Sequence, residues 1–196
     1  ALDIIGTRDG LNHIAALNIV NTSKGTYYFA DTLVNNRPSA DTLVDIALLT
    51  NETVKLFNEK PVMAMLSYSN FGADTTGSPC TVHEAVSKLH NEHPEVLVDG
   101  EMQVNFALDR KLRHEHMPFS KIDGMDVNTL IFPNLNSANI AYKMMLEIGL
   151  AENVGPIQMG LKKPVHVLDV ESSVRDIVNI TTIAVIDAQI CASKNK

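Results

Sequence analysis

Four polar side chains crowd the segment Pro133-Asn134-Leu135-Asn136-Ser137-Ala138-Asn139, directly after the apolar run VNTLIF and before a stretch with helical spacing. The pattern predicts a strand, a turn and a helix. Asn134, Asn136, Ser137 and Asn139 then lie where the free N–H groups of a helix N-terminus can hold an anion. In an open α/β sheet, ligands bind at that place, outside the carboxyl end of a strand. Three more polar, Gly-bearing or Ser-bearing segments follow predicted strands: Ser67-Tyr68-Ser69-Asn70-Phe71-Gly72, Asp99-Gly100-Glu101-Met102-Gln103 and Asp169–Ser173. Hydroxyls, amides and helix N-termini in that combination suit a phosphate-bearing ligand, although neither a Walker loop nor a GxGxxG sequence occurs. Each loop alone uses only what any turn uses. Together they predict a cleft where several of the loop tips gather on one sheet edge, with Ser67, Ser69, Asn70, Gly72, Asn134, Asn136, Asn139, Asp169 and Ser173 as ligand-binding candidates.

Other residues with chemical potential have simpler readings. Ser173-Val174-Arg175-Asp176 is a capping-box pattern opening an apolar helix, which gives Asp176 a structural role compatible with a chemical one. Asp99 and Glu101 could form an acid–base pair, but carboxylates at a strand-to-helix turn meeting the helix dipole explain them without chemistry. His114 and His116, two apart, point to different sides of a helix. His83, His90 and His93 lie on or just beyond one helix, and no metal site is assigned there either. Met144 and Met145 sit at core helical spacing and read as packing. No GxSxG elbow supports a Ser-His-Asp triad.

Residues 14–22 and 26–32 read as a hairpin around a three-residue loop, Ser23-Lys24-Gly25. Ser39 is the expected N-cap of a helix with Ala40, Leu43, Val44, Ala47 and Leu48 at helical spacing, ending near Asn58. Strands at Pro61–Leu66, Glu95–Val98 and Val127–Phe132 then alternate with helices at about Ser78–His90, Glu101–His114 and Asn136–Ile148. Strands at Val154–Gln158 and Val165–Leu168 precede a last helix from about Ser173. Repeated βα units imply an α/β fold, a mostly parallel sheet sandwiched by helices.

The chain of 196 residues is 45% hydrophobic and 20% charged, ample for a core. Its net charge of −7 argues against non-specific nucleic-acid binding, which needs a basic face. No apolar run reaches the ~20 residues that span a bilayer. A soluble, cytoplasmic protein is expected. Cys80 and Cys191, without metal-ligand spacing, read as buried or partly buried thiols. The start at Ala1 suggests a piece of a longer chain.

The segments SYSNFG, VDGEMQ, LIFPNLNSANIAYK, GPIQMGLKKPVHVL and DIVN…AVIDAQ resemble, in order and over nearly the whole chain, the phosphate acetyl/butyryltransferase domain. VNNRPSADTLVDIA, LSYSNFG, DGEMQ and KPVHVL are similar to the version fused to the carboxyl end of bacterial NADP-dependent malic enzymes. The resemblance implies two α/β lobes, of the isocitrate/isopropylmalate dehydrogenase-like kind. Residues 1–21 and 155–196 would be the remnant of a truncated first lobe and 22–154 an inserted second lobe that forms a homodimer or higher oligomer. It further implies acetyl-CoA, or a related acyl-CoA or acyl phosphate, as ligand. NADP and a divalent metal are expected only in the absent malic domain, which would decarboxylate malate.

Active transferases resemble Leu-Ser-Arg-Gly-x-Ser-x-x-Asp at residues 168–176, where the resemblance makes Asp176 the base acting on the CoA thiol. Here Asp169 stands for the serine and Val170 for the arginine. The arginine's bidentate phosphate clamp is lost, and a carboxylate is added beside an anionic acyl phosphate. Loss of one preorganised charge contact costs ~2.7–4 kcal/mol of transition-state stabilisation. The resemblance therefore implies a regulatory, acetyl-CoA-binding module, with an active acyltransferase as the alternative.

Overall fold

The hairpin turn between the first two strands is tighter than its sequence suggests. In the computed structural model, which describes residues 2–168, 170 and 172–194, β1 (Ala15–Thr22) and β2 (Gly25–Ala30) are joined by Ser23 and Lys24 alone. Gly25 is already paired with Thr22. The remaining strands are β3 (Met63–Leu66), β4 (Val98–Met102), β5 (Thr129–Ile131) and β6 (Ala151–Met159). The helices are α1 (Leu2–Ile5), α2 (Ala40–Leu56), α3 (Gly77–Glu92), α4 (Val104–Leu108), α5 (Arg110–His116), α6 (Leu135–Glu147) and α7 (Val174–Lys194).

The six strands form one sheet in the order β4-β3-β5-β2-β1-β6. β4, β3, β5 and β2 are mutually parallel, and β1 runs antiparallel to both of its neighbours. All four residues of β3 are buried, as expected of a parallel strand covered on both faces. On one face Leu43, Ile46 and Val54 of α2, Val82, Val86 and Leu89 of α3 and Ile180 of α7 pack on Leu17, Tyr28, Met63 and Ile157. On the other, Ala107 of α4 and Ala138 and Met145 of α6 pack on Val20, Phe29, Ala64 and Leu130. Each large apolar side chain fully buried here contributes on the order of 1.5–3 kcal/mol.

Ser39 caps α2 as predicted, accepting the Thr42 N–H at 3.2 Å. Other expectations are corrected. The fourth strand is Val98–Met102 rather than Glu95–Val98, because Val98 pairs with Met63 and the polar DGE sequence lies inside the sheet. The helix expected over Glu101–His114 is two, broken at Asp109, whose carboxylate accepts the Leu112 N–H at 2.9 Å and starts α5 afresh. β6 is longer than read because β1 pairs with it from Ala15↔Met159 to Thr22↔Ala151. Val165–Leu168 is not a strand; no neighbouring strand meets it among the described residues. Met144 is 56% exposed rather than packed, and Cys80 is exposed rather than buried. The lobe boundaries that the resemblance sets at 21/22 and 154/155 fall within β1 and β6 of the one sheet.

Candidate functional site

β2, β3, β4 and β5 all end on one edge of the sheet, so the segments after Ala30, Leu66, Met102 and Ile131 gather there. Gly100 makes the approach of β4 to β3 possible. A Cβ at this position would lie 2.5 Å from the Met65 carbonyl oxygen, and its φ of +146° is one that side-chain-bearing residues rarely adopt.

The loop Ser67–Gly72 is laid along the end of β4. The Ser67 N–H donates to the Met102 carbonyl at 2.9 Å, and the Gln103 N–H to Asn70 Oδ1 at 2.8 Å. Gln103 Nε2 donates to the Tyr68 carbonyl at 2.8 Å. Ser69 is buried, its hydroxyl donating to Glu101 Oε1 at 3.4 Å while its oxygen accepts the Asp74 N–H at 3.0 Å. Gly72 N–H donates to the same carboxylate at 2.6 Å.

In the loop after β5, Asn134 caps α6, its side-chain oxygen accepting the Ser137 N–H at 3.0 Å. Asn136 is exposed and Asn139 half-buried in the first turns of this helix. The segment after β2, which the sequence reading passed over, joins the same edge. Asp31 is buried and accepts N–H groups from Ala16, Leu33, Val34 and Asn35 between 2.7 and 3.2 Å. The Leu135 N–H donates to the Asn36 carbonyl at 3.4 Å, tying this segment to the Asn134 loop. An Asp directly after a strand was the available signal, since its carboxylate can satisfy a whole turn of backbone donors.

Asp176 and Ser173 lie elsewhere. Ser173 donates N–H and hydroxyl to Asp176 Oδ2 at 2.9 and 2.7 Å and accepts the Asp176 N–H at 3.2 Å, the capping box read from sequence. The Ser173 hydroxyl, with its backbone N–H, holds the Asp176 carboxyl below the usual carboxylate range. Next door, Arg175 reaches Glu152 at 2.9 Å, which puts the start of α7 beside the start of β6. β6 runs in the same direction as β2, so this is the amino edge of the parallel strands. Glu152 to Met159 is about 23 Å of strand at about 3.3 Å per residue. Several of the loop tips thus gather as expected: Ser67, Ser69, Asn70, Gly72, Asn134, Asn136 and Asn139 share one edge, whereas Ser173 and Asp176 occupy the other. Asp169 lies outside the described residues.

Asp99 and Glu101 are buried inside β4, not set at a helix start. Asp99 Oδ2 accepts from the Ser120 hydroxyl and the Lys121 N–H, both at 2.7 Å. Glu101 Oε2 faces His83 Nδ1 at 3.1 Å, and Asp99 Oδ1 faces His90 Nε2 at 3.6 Å. His114 pairs with Asp123 at 2.9 Å. Among the described residues no group of three or more His, Cys, Asp or Glu side chains could hold a metal ion, and no helix is long and apolar enough to cross a membrane. A groove of about 640 Å³ lies between the end of α2, β6 and α7, lined by Phe57, Ile157, Gln158, His166, Ile183 and Cys191 among others. There Gln158 N–H donates to His166 Nδ1 at 3.2 Å, and burial pushes the imidazole below its usual value.

The mixed α/β sheet with polar loops gathered beyond its parallel strands is an architecture shared with phosphotransacetylases of known structure. The chain belongs to the family described as Phosphate acetyl/butaryl transferase, which it matches over residues 1–185. It is 39% identical to an Escherichia coli NADP-dependent malic enzyme over 95% of its own length and 25% of that protein's. It is 35% identical to a Clostridium acetobutylicum phosphate acetyltransferase, covering 96% of itself and 58% of that chain. A solved phosphotransacetylase from Streptococcus pyogenes superposes with a TM-score of 0.87 at 34% identity, over 98% of this chain and 58% of the other. The chain thus spans about a quarter of the malic enzymes and from 36% to 58% of the phosphate acetyltransferases it matches.

Proposed function

We propose that the chain is the phosphotransacetylase-like region of an NADP-dependent malic enzyme, acting there as an acetyl-CoA-binding, regulatory and dimer-forming module with little transferase activity. The observation that carries this reading is the loss of the Ser-Arg pair that the resemblance places ahead of Asp176. Asp169 and Val170 supply neither the hydroxyl nor the guanidinium of an acyl-phosphate clamp. NADP and a divalent cation belong, in this reading, to the malic portion of the parent chain, which oxidises and decarboxylates malate to pyruvate. Residues 1–21 and 155–196 are one side of a lobe completed by chain that the longer relatives possess. The open groove along α7 and the exposed Val174, Val178 and Val185 support that division.

A thermal-unfolding titration tests the binding role, because a ligand selective for the folded state raises its midpoint. Acetyl-CoA produces a saturable rise that CoA and free phosphate do not match. Asn136→Ala, on the exposed loop edge, shifts the curve to higher ligand concentration. Absence of any rise removes the ligand assignment.

Active transfer between CoA and phosphate is the second reading. It is favoured by the retention of Asp176 and by the identity to phosphate acetyltransferases. Conversion of acetyl phosphate and CoA to acetyl-CoA well above the uncatalysed rate would establish it and reject the first as a full account.

A further inference from the structure

Glu101 is a charged group with 0% side-chain exposure at the end of β4. A buried carboxylate persists only where donors and a countercharge compensate it. Here both come from the elements that frame the ligand loop. Oε1 accepts from Gly72 N–H and the Ser69 hydroxyl, and Oε2 meets His83 of α3. The loop's backbone is shaped around this anion. Phe71 (φ 45°) and Gly72 (φ 81°) are consecutive left-handed residues, costly for a phenylalanine. Phe71 N–H goes to the Glu101 carbonyl at 2.8 Å and Gly72 N–H to its carboxylate at 2.6 Å.

The neighbouring charges are engaged elsewhere. Asp74 accepts from Tyr68 and Thr76, Lys88 of α3 holds Glu84 and Asp41 of α2, and Asp99 is taken by Ser120 and Lys121 N–H with His90 beyond it. His83, 54% exposed, is the side chain that meets Glu101 Oε2.

We propose that Glu101 is the positioning residue of the Ser67–Gly72 ligand loop, with His83 of α3 holding its second carboxylate oxygen. The proposal deepens the acetyl-CoA reading and rests on it only for the ligand. Without this carboxylate, Gly72 N–H and the Ser69 hydroxyl lose their shared acceptor and the left-handed turn loosens.

The test uses Glu101→Gln, which keeps shape and an acceptor for Gly72, and His83→Gln. The readouts are hydrogen-exchange protection factors of the Phe71 and Gly72 amides and acetyl-CoA affinity. Glu101→Gln lowers both by about tenfold, and His83→Gln lowers them in the same direction, while unfolding remains cooperative. If Glu101→Gln fails to fold, the His83 variant decides alone. Protection in the variants equal to that of the unaltered chain overturns the proposal. If the amides behave as stated while the unaltered chain binds no acetyl-CoA, the ligand reading fails and the positioning role stands.

Discussion

Asp176 shows how a helix end can engage one oxygen of a carboxylate suited to proton transfer. Its bonds to Ser173 predict that Ser173→Ala lowers stability at neutral pH by about 1 kcal/mol. Because the folded-state pKa is depressed, this stabilisation is complete above the unfolded carboxylate value near 3.9 and is lost as the pH falls through the folded value. Thermal midpoints of the two proteins, measured from neutral to acid pH, should therefore converge below about pH 4. The residue types of the site were legible in sequence, as was this capping box. The burial of Asp99 and Glu101 was not, because their partners Ser120, Ser69 and His83 lie 18 to 32 positions away. A charged pair beside a glycine looks like a turn until such partners are known.

Among the elements, α5 depends on a side chain that reads as an ordinary surface cation. Arg113 is fully buried, and its guanidinium donates to the carbonyls of Phe106, Ala107, Ile122 and Met125, joining α4 to the irregular stretch after α5. Burial lowers its pKa from the ordinary arginine value. Arg113→Met retains apolar volume but abandons four carbonyls, and a loss of about 3 kcal/mol or more is expected in denaturant unfolding. A change below about 1 kcal/mol would mean that water replaces the guanidinium. Helical periodicity found α2, α3, α6 and α7, whose apolar stripes face the sheet. It merged α4 with α5 because a break made by one capping aspartate, Asp109, leaves the spacing nearly undisturbed. It also promised a strand at Val165–Leu168, where β-branched residues alternate correctly but no strand runs alongside.

For the whole molecule, the outer side of α6 carries the dimer-forming part of the proposed function. Ile140, Met144 and Ile148, spaced four apart, and Leu150 just beyond are each 56% to 64% exposed. A contiguous apolar stripe of this kind marks an interaction surface. Met144→Glu should convert a dimer to a monomer in sedimentation equilibrium without altering the far-ultraviolet circular dichroism. An unchanged mass would move the interface elsewhere.

The order of the sheet also bears on how the chain is made. β1 emerges from the ribosome with β2, yet its other neighbour, β6, begins 129 positions after Thr22, at Ala151. Until synthesis passes Met159, the nascent β1 offers one row of open backbone groups flanked by Leu17 and Ile19, the kind of edge on which chains join one another. Pairing across so long a separation is slow as well as late. Solubility during translation therefore depends on a strand near the end of the sequence, and ribosomes stalled between β5 and β6 would hold the species most in need of a chaperone.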